Sequence, residues 1–563
     1  MSWREAVDSS SRQAPIRIFS LEFSGTGLVT ALAFFALSLS PSLVPRDGVF
    51  QGFVSGVTIF IGYLLGVAGQ WLWEYLELPK PHGRTQQILV TSLLSIIGIS
   101  TGVAVWRHVG WQNDVRSNFG MEPTSVLVWV EILIATILVA SLLLVLRRSL
   151  RKLFRFLARS LNRRLPRRLS RVLGGLALVL LLLFVFNGLL VRGFFAFANS
   201  SFSVTDGGTP PGVEQPDSPL RSGSSASLVP WDSLGYQGRS FIGTGPTVDD
   251  LNLFHSGSAM EPIRVYAGLQ SADSIQERAD LVLEELKRTG AFDRKVLLVA
   301  TTTGTGWMDP NAVDTLEYVL GGDTAIVGVQ YSYFPSWLSL LADQAVVKET
   351  SRVVFDTIQT HWATLPEDDR PELYVFGISL GSFGAESILT SINIVNSPID
   401  GALFAGPPFL NELWNEIVAG RDEGSPPWLP VYEDGRTVRF TGREDALNVP
   451  SGEWGKTRIV YLQHASDPVT FFSPSLAFRQ PEWLDEGQRG PDVSDRMTWI
   501  PVVTMWQVAA DVGAASLVPE GYGHLYGAGE YLNAWMGLLE PEDWGTEDSN
   551  RLVDYLAEAN TPE

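Results

Sequence analysis

Hydrophobic positions along this chain follow two regimes that meet near residue 200. Before that point apolar residues run in blocks of about 20, the helical length that crosses a hydrocarbon layer about 30 Å thick. Five blocks are expected as transmembrane helices, at residues 26–44, 53–73, 88–106, 126–146 and 172–191. The fifth contains LALVLLLLFVF, which has no polar face, whereas the first is interrupted by Ser38, Ser40 and Pro41. Trp71, Trp73, Tyr75, Trp106 and Trp111 stand at block ends, where amphipathic rings favour the headgroup level.

Beyond residue 248 short apolar runs alternate with amphipathic helical patterns, the signature of a mostly parallel sheet with helices on both faces. Strands are expected at 264–267, 296–300, 325–330, 373–376, 401–405 and 458–463, with helices over 271–290 and 343–362. Between the two regimes lies TDGGTPPGVEQPDSPLRSGSSAS, whose Gly, Pro and Ser content predicts a flexible tether. The expected organisation is therefore a multi-spanning α-helical membrane domain over 1–200, a linker over 201–248, and an α/β domain of α/β-hydrolase fold over 249–563.

Charge divides at the same boundary. Residues 1–200 carry roughly 20 Lys and Arg against about 9 acids, and the remainder roughly 21 against about 52. The net charge of −20 argues against a nucleic-acid partner, since phosphate backbones are bound through clustered cations. The one dense cluster, RRSLRKLFRFLARSLNRRLPRRLSR, falls between the fourth and fifth blocks and reads as a cytoplasmic loop able to lie on anionic lipid. With five crossings, everything after residue 191 is expected outside the cell membrane. The chain contains no cysteine, which excludes disulfides, thiolate metal sites and cysteine nucleophiles.

Candidate chemistry sits in LYVFGISLGSFGAESIL, where Gly377, Ser379 and Gly381 form G-x-S-x-G between an expected strand and helix. A nucleophilic serine must project from a sharp strand-to-helix turn, and flanking glycines let backbone and helix come that close. A serine needs a base to take its proton and a third group to orient that base. Of six histidines, His82 and His108 fall in membrane loops, His255 precedes the sheet, and His361 lies mid-helix. His464 and His524 remain, and His524, in the glycine-flanked loop PEGYGHLYG, is assigned as base. Asp467, in YLQHASDPVT after a late strand, is assigned as its orienter, giving the order Ser, Asp, His along the chain. For the oxyanion, Leu380 follows the nucleophile, and the loop TTTGTGWMDP offers Thr302 and Thr303. No metal or other cofactor is required by this chemistry.

ATTTGTGWMDP, FGISLGSFGAE, HASDPV and EGYGH resemble the actinobacterial membrane proteins with an α/β-hydrolase catalytic domain behind a multi-spanning N-terminal domain, over essentially the whole chain. The resemblance implies the same triad on Ser379, Asp467 and His524, and it specifies no substrate.

Insertions at 407–456 and between Asp467 and His524 are rich in aromatics, among them Trp414, Trp428, Trp454, Phe471, Phe472, Trp483, Trp499 and Trp506. Such rings either line a pocket suited to acyl chains or form core beneath long loops. Three functions follow: a membrane-anchored serine esterase, lipase or acyltransferase acting on envelope lipid or another acyl ester; a serine peptidase with the same triad; or a non-catalytic membrane protein carrying a vestigial hydrolase domain. The first is preferred because the anchor holds the domain beside membrane lipids. The sequence leaves the oligomeric state open.

Overall fold

The computed structural model describes residues 16–18, 21–79, 83–185, 201–342, 344–390, 398–542 and 544–559. It divides into two compact units: residues 1–184 with 472–484 and 491–518, and residues 185–471 with 485–490 and 519–563.

The first unit is helical. A hairpin pairing Ile16–Ile18 with Leu21–Phe23 precedes α1 (Gly25–Ser38), α2 (Gly48–Tyr75), α3 (Gly83–Asn118), α4 (Val128–Leu161) and α5 (Arg167–Leu183). Three of these, α2, α3 and α4, are long and apolar enough to cross a membrane, in place of the five expected. The first expected span falls short because α1 has 14 residues, about 21 Å of helix, before the chain breaks toward Pro41. Of the fifth, α5 covers residues 172–183, too few to span by themselves, and residues 186–191 of that expected span lie outside the described residues.

Helix α2 is the hub of this unit, and its glycines explain how. A Cβ on Gly52 would lie 2.5 Å from the Ala135 Cβ of α4, and one on Gly62 would lie 2.6 Å from the Phe34 Cβ of α1, so small residues set both close approaches. By contrast α3 and α4 leave Ile88, Leu93, Ile99, Leu133, Ile137 and Leu142 exposed, a surface suited to lipid.

The insertion between Asp467 and His524 belongs largely to this helical unit, through its helix Val503–Asp511. Asp511 and Arg46 form a fully buried ion pair at 2.6 Å. The Asp511 carboxylate also accepts from Ser42 Oγ and from the Leu43 N–H at 3.2 Å, while Arg46 donates to the Gln507 carbonyl at 3.1 Å. Gln507 Nε2 in turn reaches the Ser38 and Ser40 carbonyls at 3.2 and 3.1 Å. These bonds satisfy charges and broken-helix carbonyls that burial would otherwise leave destabilising.

The second unit is built on seven strands: β1 (Ile263–Ala267), β2 (Val296–Thr301), β3 (Thr324–Val329), β4 (Glu372–Ile378), β5 (Gly401–Ala405), β6 (Val438–Thr441) and β7 (Arg458–Leu462). They lie in the order β1-β3-β2-β4-β5-β7-β6, every pair parallel. Nearly every strand residue is buried, as in a parallel sheet covered on both faces. Helix Ile275–Thr289 shows why the crossovers form: Ser274 and Glu277 close a capping box, and Gly290 ends the helix at φ 72°.

Strand β6 lies within the 407–456 span, whose aromatics were expected either to line a pocket or to form core. Trp414, buried, donates to Gln463 Oε1 at 2.8 Å, and Trp454 stacks under the Arg439 guanidinium at 4.1 Å. These rings serve as core rather than as pocket lining. Residues 201–248 are likewise no free tether. Arg264 and Ser222 exchange backbone bonds with the 220–222 segment and β1, and Val229, Leu234 and Ile242 are fully buried in the core. Composition misleads here because the polar Arg221 is itself buried, donating to the Ile242, Gly245 and Pro246 carbonyls.

Candidate active site

Strand β4 delivers Ser379 to the carboxyl end of the sheet, where the chain turns at once into helix α6 (Leu380–Glu386). Ser379 adopts φ 53° and ψ −126°, a conformation that an L-residue holds only where its surroundings over-determine it. Two contacts do so. A Cβ on Gly377 would collide with the Gly381 carbonyl, and one on Gly381 with the Thr301 carbonyl, so both glycines of the motif are sterically required. Ser379 is half-buried, with its N–H donating to the Ala405 carbonyl at 2.9 Å.

The end of β5 is where the base arrives. Gly406, the residue after β5, has φ 51°, and a Cβ there would stand 2.5 Å from His524 Cε1 and 2.9 Å from its Nδ1. The His524 ring therefore lies on the backbone next to the residue that anchors Ser379. His524 Nδ1 donates to Asp467 Oδ2 at 2.6 Å, while its Nε2 is buried and has no hydrogen-bond partner among the described residues. One nitrogen is thus fixed as donor and the other is left with an open lone pair.

Asp467 is fully buried and heavily solvated by protein. Oδ2 also accepts from Tyr526 Oη at 2.7 Å and Oδ1 from the Val469 N–H at 2.8 Å. Burial alone would raise the carboxyl, but the His524 charge and these donors outweigh it and hold Asp467 below the ordinary carboxylate range. The same Asp467 carbonyl accepts from the Phe471 N–H, so the residue both starts a turn and faces the histidine.

Of the expected oxyanion donors, the Leu380 N–H stands at the first position of α6 with no intrahelical acceptor to meet. The Thr302 N–H has no acceptor among the described residues, and its Oγ1 is occupied by the Val329 carbonyl at 3.0 Å. Thr303 is different: its N–H donates to the Trp307 carbonyl at 2.8 Å and closes the loop instead of facing a ligand. The alternative base His464 is almost wholly buried, bonded through Nδ1 to the Gly523 carbonyl and through Nε2 to Glu530.

Three contributors were not singled out by the sequence motifs: Tyr526, Gly406 and Glu530, the last as partner of His464. Gly406 carried a signal, a glycine directly after an apolar strand, but the ring it accommodates comes from a residue more than a hundred positions away. Tyr526 follows His524 by two with no spacing rule to mark it.

Comparison with protein families matches residues 263–552 to a model described as the alpha/beta-hydrolase family, and residues 39–246 to one described as the N-terminus of an alpha/beta-hydrolase family. No curated protein and no solved structure matches the chain. With over half its length covered by the first model, and a parallel sheet carrying a serine at the strand-to-helix turn, the chain belongs to the alpha/beta-hydrolase family.

Proposed function

We propose that this protein is a membrane-held serine hydrolase that forms an acyl-enzyme on Ser379, with His524 as general base, Asp467 as its orienter, and envelope lipid or another acyl ester as substrate. The observation that carries the reading is the state of His524: Nδ1 is committed to a buried carboxylate, Nε2 is open, and the ring rests on Gly406 beside the anchor of Ser379. In the reaction Ser379 Oγ attacks the acyl carbonyl as its proton passes to His524 Nε2. The negative charge gathers on the former carbonyl oxygen, facing the Leu380 and Thr302 N–H groups. Collapse expels the alkoxide, which takes the proton from His524, and leaves the acyl group on Ser379. Water or an acceptor alcohol then resolves the acyl-enzyme by the same steps in reverse.

Location supports the lipid assignment. Helix α4 has 34 residues, about 51 Å, so its arginine-rich end from Arg147 onward extends past a hydrocarbon layer about 30 Å thick. A basic end of this kind stays cytoplasmic, and the apolar helices of the same chain keep the hydrolase unit at the membrane. The test is a series of p-nitrophenyl acyl esters of increasing chain length, set beside a chromogenic peptide, with purified full-length protein. Ester turnover that rises with chain length and disappears in Ser379→Ala is the expected result. Peptide cleavage without ester turnover, or turnover that survives Ser379→Ala, would overturn the assignment.

A further inference from the structure

Both ring nitrogens of His464 face acceptors. Nδ1 lies 2.9 Å from the Gly523 carbonyl, so Nδ1 carries a hydrogen. Nε2 lies 2.8 Å from Glu530 Oε1, and the other carboxylate oxygen, Oε2, already accepts from the Gly527 N–H at 2.8 Å. A bare Nε2 lone pair against a carboxylate at that distance is repulsive, so a proton must sit between them. The pair is 1% and 7% exposed, which leaves water little part in supplying it.

The pair grips the segment that carries His524. Gly523, whose carbonyl His464 holds, directly precedes His524, and its N–H donates to Ser466 Oγ at 3.0 Å. Tyr526, two residues after, stacks on the His464 ring at 4.4 Å with planes 22° apart and sends its hydroxyl to Asp467. Glu530 fixes the far end of the loop at Gly527, where helix Ala528–Leu539 begins.

We infer that His464 and Glu530 are positioning residues whose shared proton holds the His524 loop in its working geometry, so that losing this proton at high pH lowers turnover. The inference rests on the triad reading above. The ionisable groups around the pair are Asp467 in the turn after β7, His524 and Tyr526 in the gripped loop, Arg443 and Glu520, which line one cavity with Glu530, and Tyr531 on the same helix as Glu530, itself bonded to Asp309 at 2.9 Å.

Glu530→Gln distinguishes this role from plain structural support. A glutamine can keep both bonds without the titrating proton, its oxygen accepting from Gly527 and its amide donating to the Nε2 of neutral His464. The experiment measures kcat and KM of full-length protein on a soluble acyl ester from pH 6 to 10, together with the rate of fluorophosphonate labelling. Wild type is expected to lose turnover on the alkaline side, and Glu530→Gln to keep the neutral-pH rate within about threefold while losing that limb. His464→Leu is expected to lower kcat by about tenfold or more with KM nearly unchanged. A wild-type alkaline limb that persists unchanged in Glu530→Gln, or full labelling rate in His464→Leu, would overturn the positioning role. Failure of folded wild type to label at all would instead remove the triad reading, so the two failures are told apart. Should His464→Leu not fold, the Glu530→Gln profile decides.

Discussion

Gly406→Ala perturbs the site without replacing any reacting group. Its new methyl carbon would stand 2.5 Å from His524 Cε1, 2.9 Å from Nδ1 and 2.9 Å from Tyr526 Cε2. Carbon atoms rest about 3.5–4.0 Å apart, so the ring must retreat by about 1 Å. It cannot do so freely, because Nδ1 is held at 2.6 Å and Tyr526 Oη at 2.7 Å on the same Asp467 oxygen. Displacement of about 1 Å at a reacting group costs about 100-fold in rate, or about 2.7 kcal/mol of activation free energy. The backbone adds its own penalty, since φ is 51° and a left-handed L-residue costs about 1–2 kcal/mol. That strain belongs to folding, and Gly424→Ala isolates it: φ there is 91° and no atom lies within 4 Å of the added carbon. The assay is the second-order rate of fluorophosphonate labelling, with the thermal midpoint measured alongside. Gly406→Ala should label about 100-fold more slowly, whereas Gly424→Ala should lose a few degrees of stability and label normally. Wild-type labelling by Gly406→Ala would show that His524 does not rest on this glycine when the enzyme works.

Other perturbations give separable outcomes. Tyr526→Phe removes one donor from Asp467, so the carboxyl moves back up toward its ordinary value. The carboxylate's support is present above the ordinary pKa and lost as pH falls through the folded one, so the acid limb of the ester pH–rate profile should begin at higher pH in this variant. Asp309, buried at the start of helix Pro310–Val319, is pushed up to about 7 by burial, against the hydrogen bonds from Tyr531 and Asn311. Its raised pKa means the fold loses stability as pH climbs from about 4 to about 7, by at most about 4 kcal/mol. Asp309→Asn keeps a capping side chain and should melt higher than wild type at pH 8, with a smaller difference at pH 5, by calorimetry. Arg46→Leu strands Asp511 in a buried site and should destabilise the helical unit by about 3–5 kcal/mol, while Arg46→Met with Asp511→Leu should recover most of that loss.

How much of this was legible depends on how local each cause is. Six of the seven strands announce themselves as apolar runs bounded by turns. The seventh, β6, hides because Arg439 interrupts it, and that arginine is tolerated only through its bonds to the Gly435 and Leu447 carbonyls at 2.9 and 2.8 Å. Ser379, Gly377 and Gly381 were readable because a nucleophile turn imposes its own spacing. Asp467 and His524 followed from chain order, and the structure joins them at 2.6 Å. The partners of the insertion were not readable, because Asp511 finds Arg46 across 465 positions and nothing in the local pattern of either points to the other. Span counting failed at the first block for a related reason: hydropathy registers apolar residues but not where the helix stops ahead of Pro41.

The most direct measurement is identification of the modified residue after folded, full-length protein reacts with a fluorophosphonate. Digestion and mass spectrometry should place the adduct on Ser379 alone, and His524→Ala should leave that peptide unmodified over the same time. An adduct on another residue, or an unmodified Ser379 peptide from wild type of confirmed fold, would contradict the account.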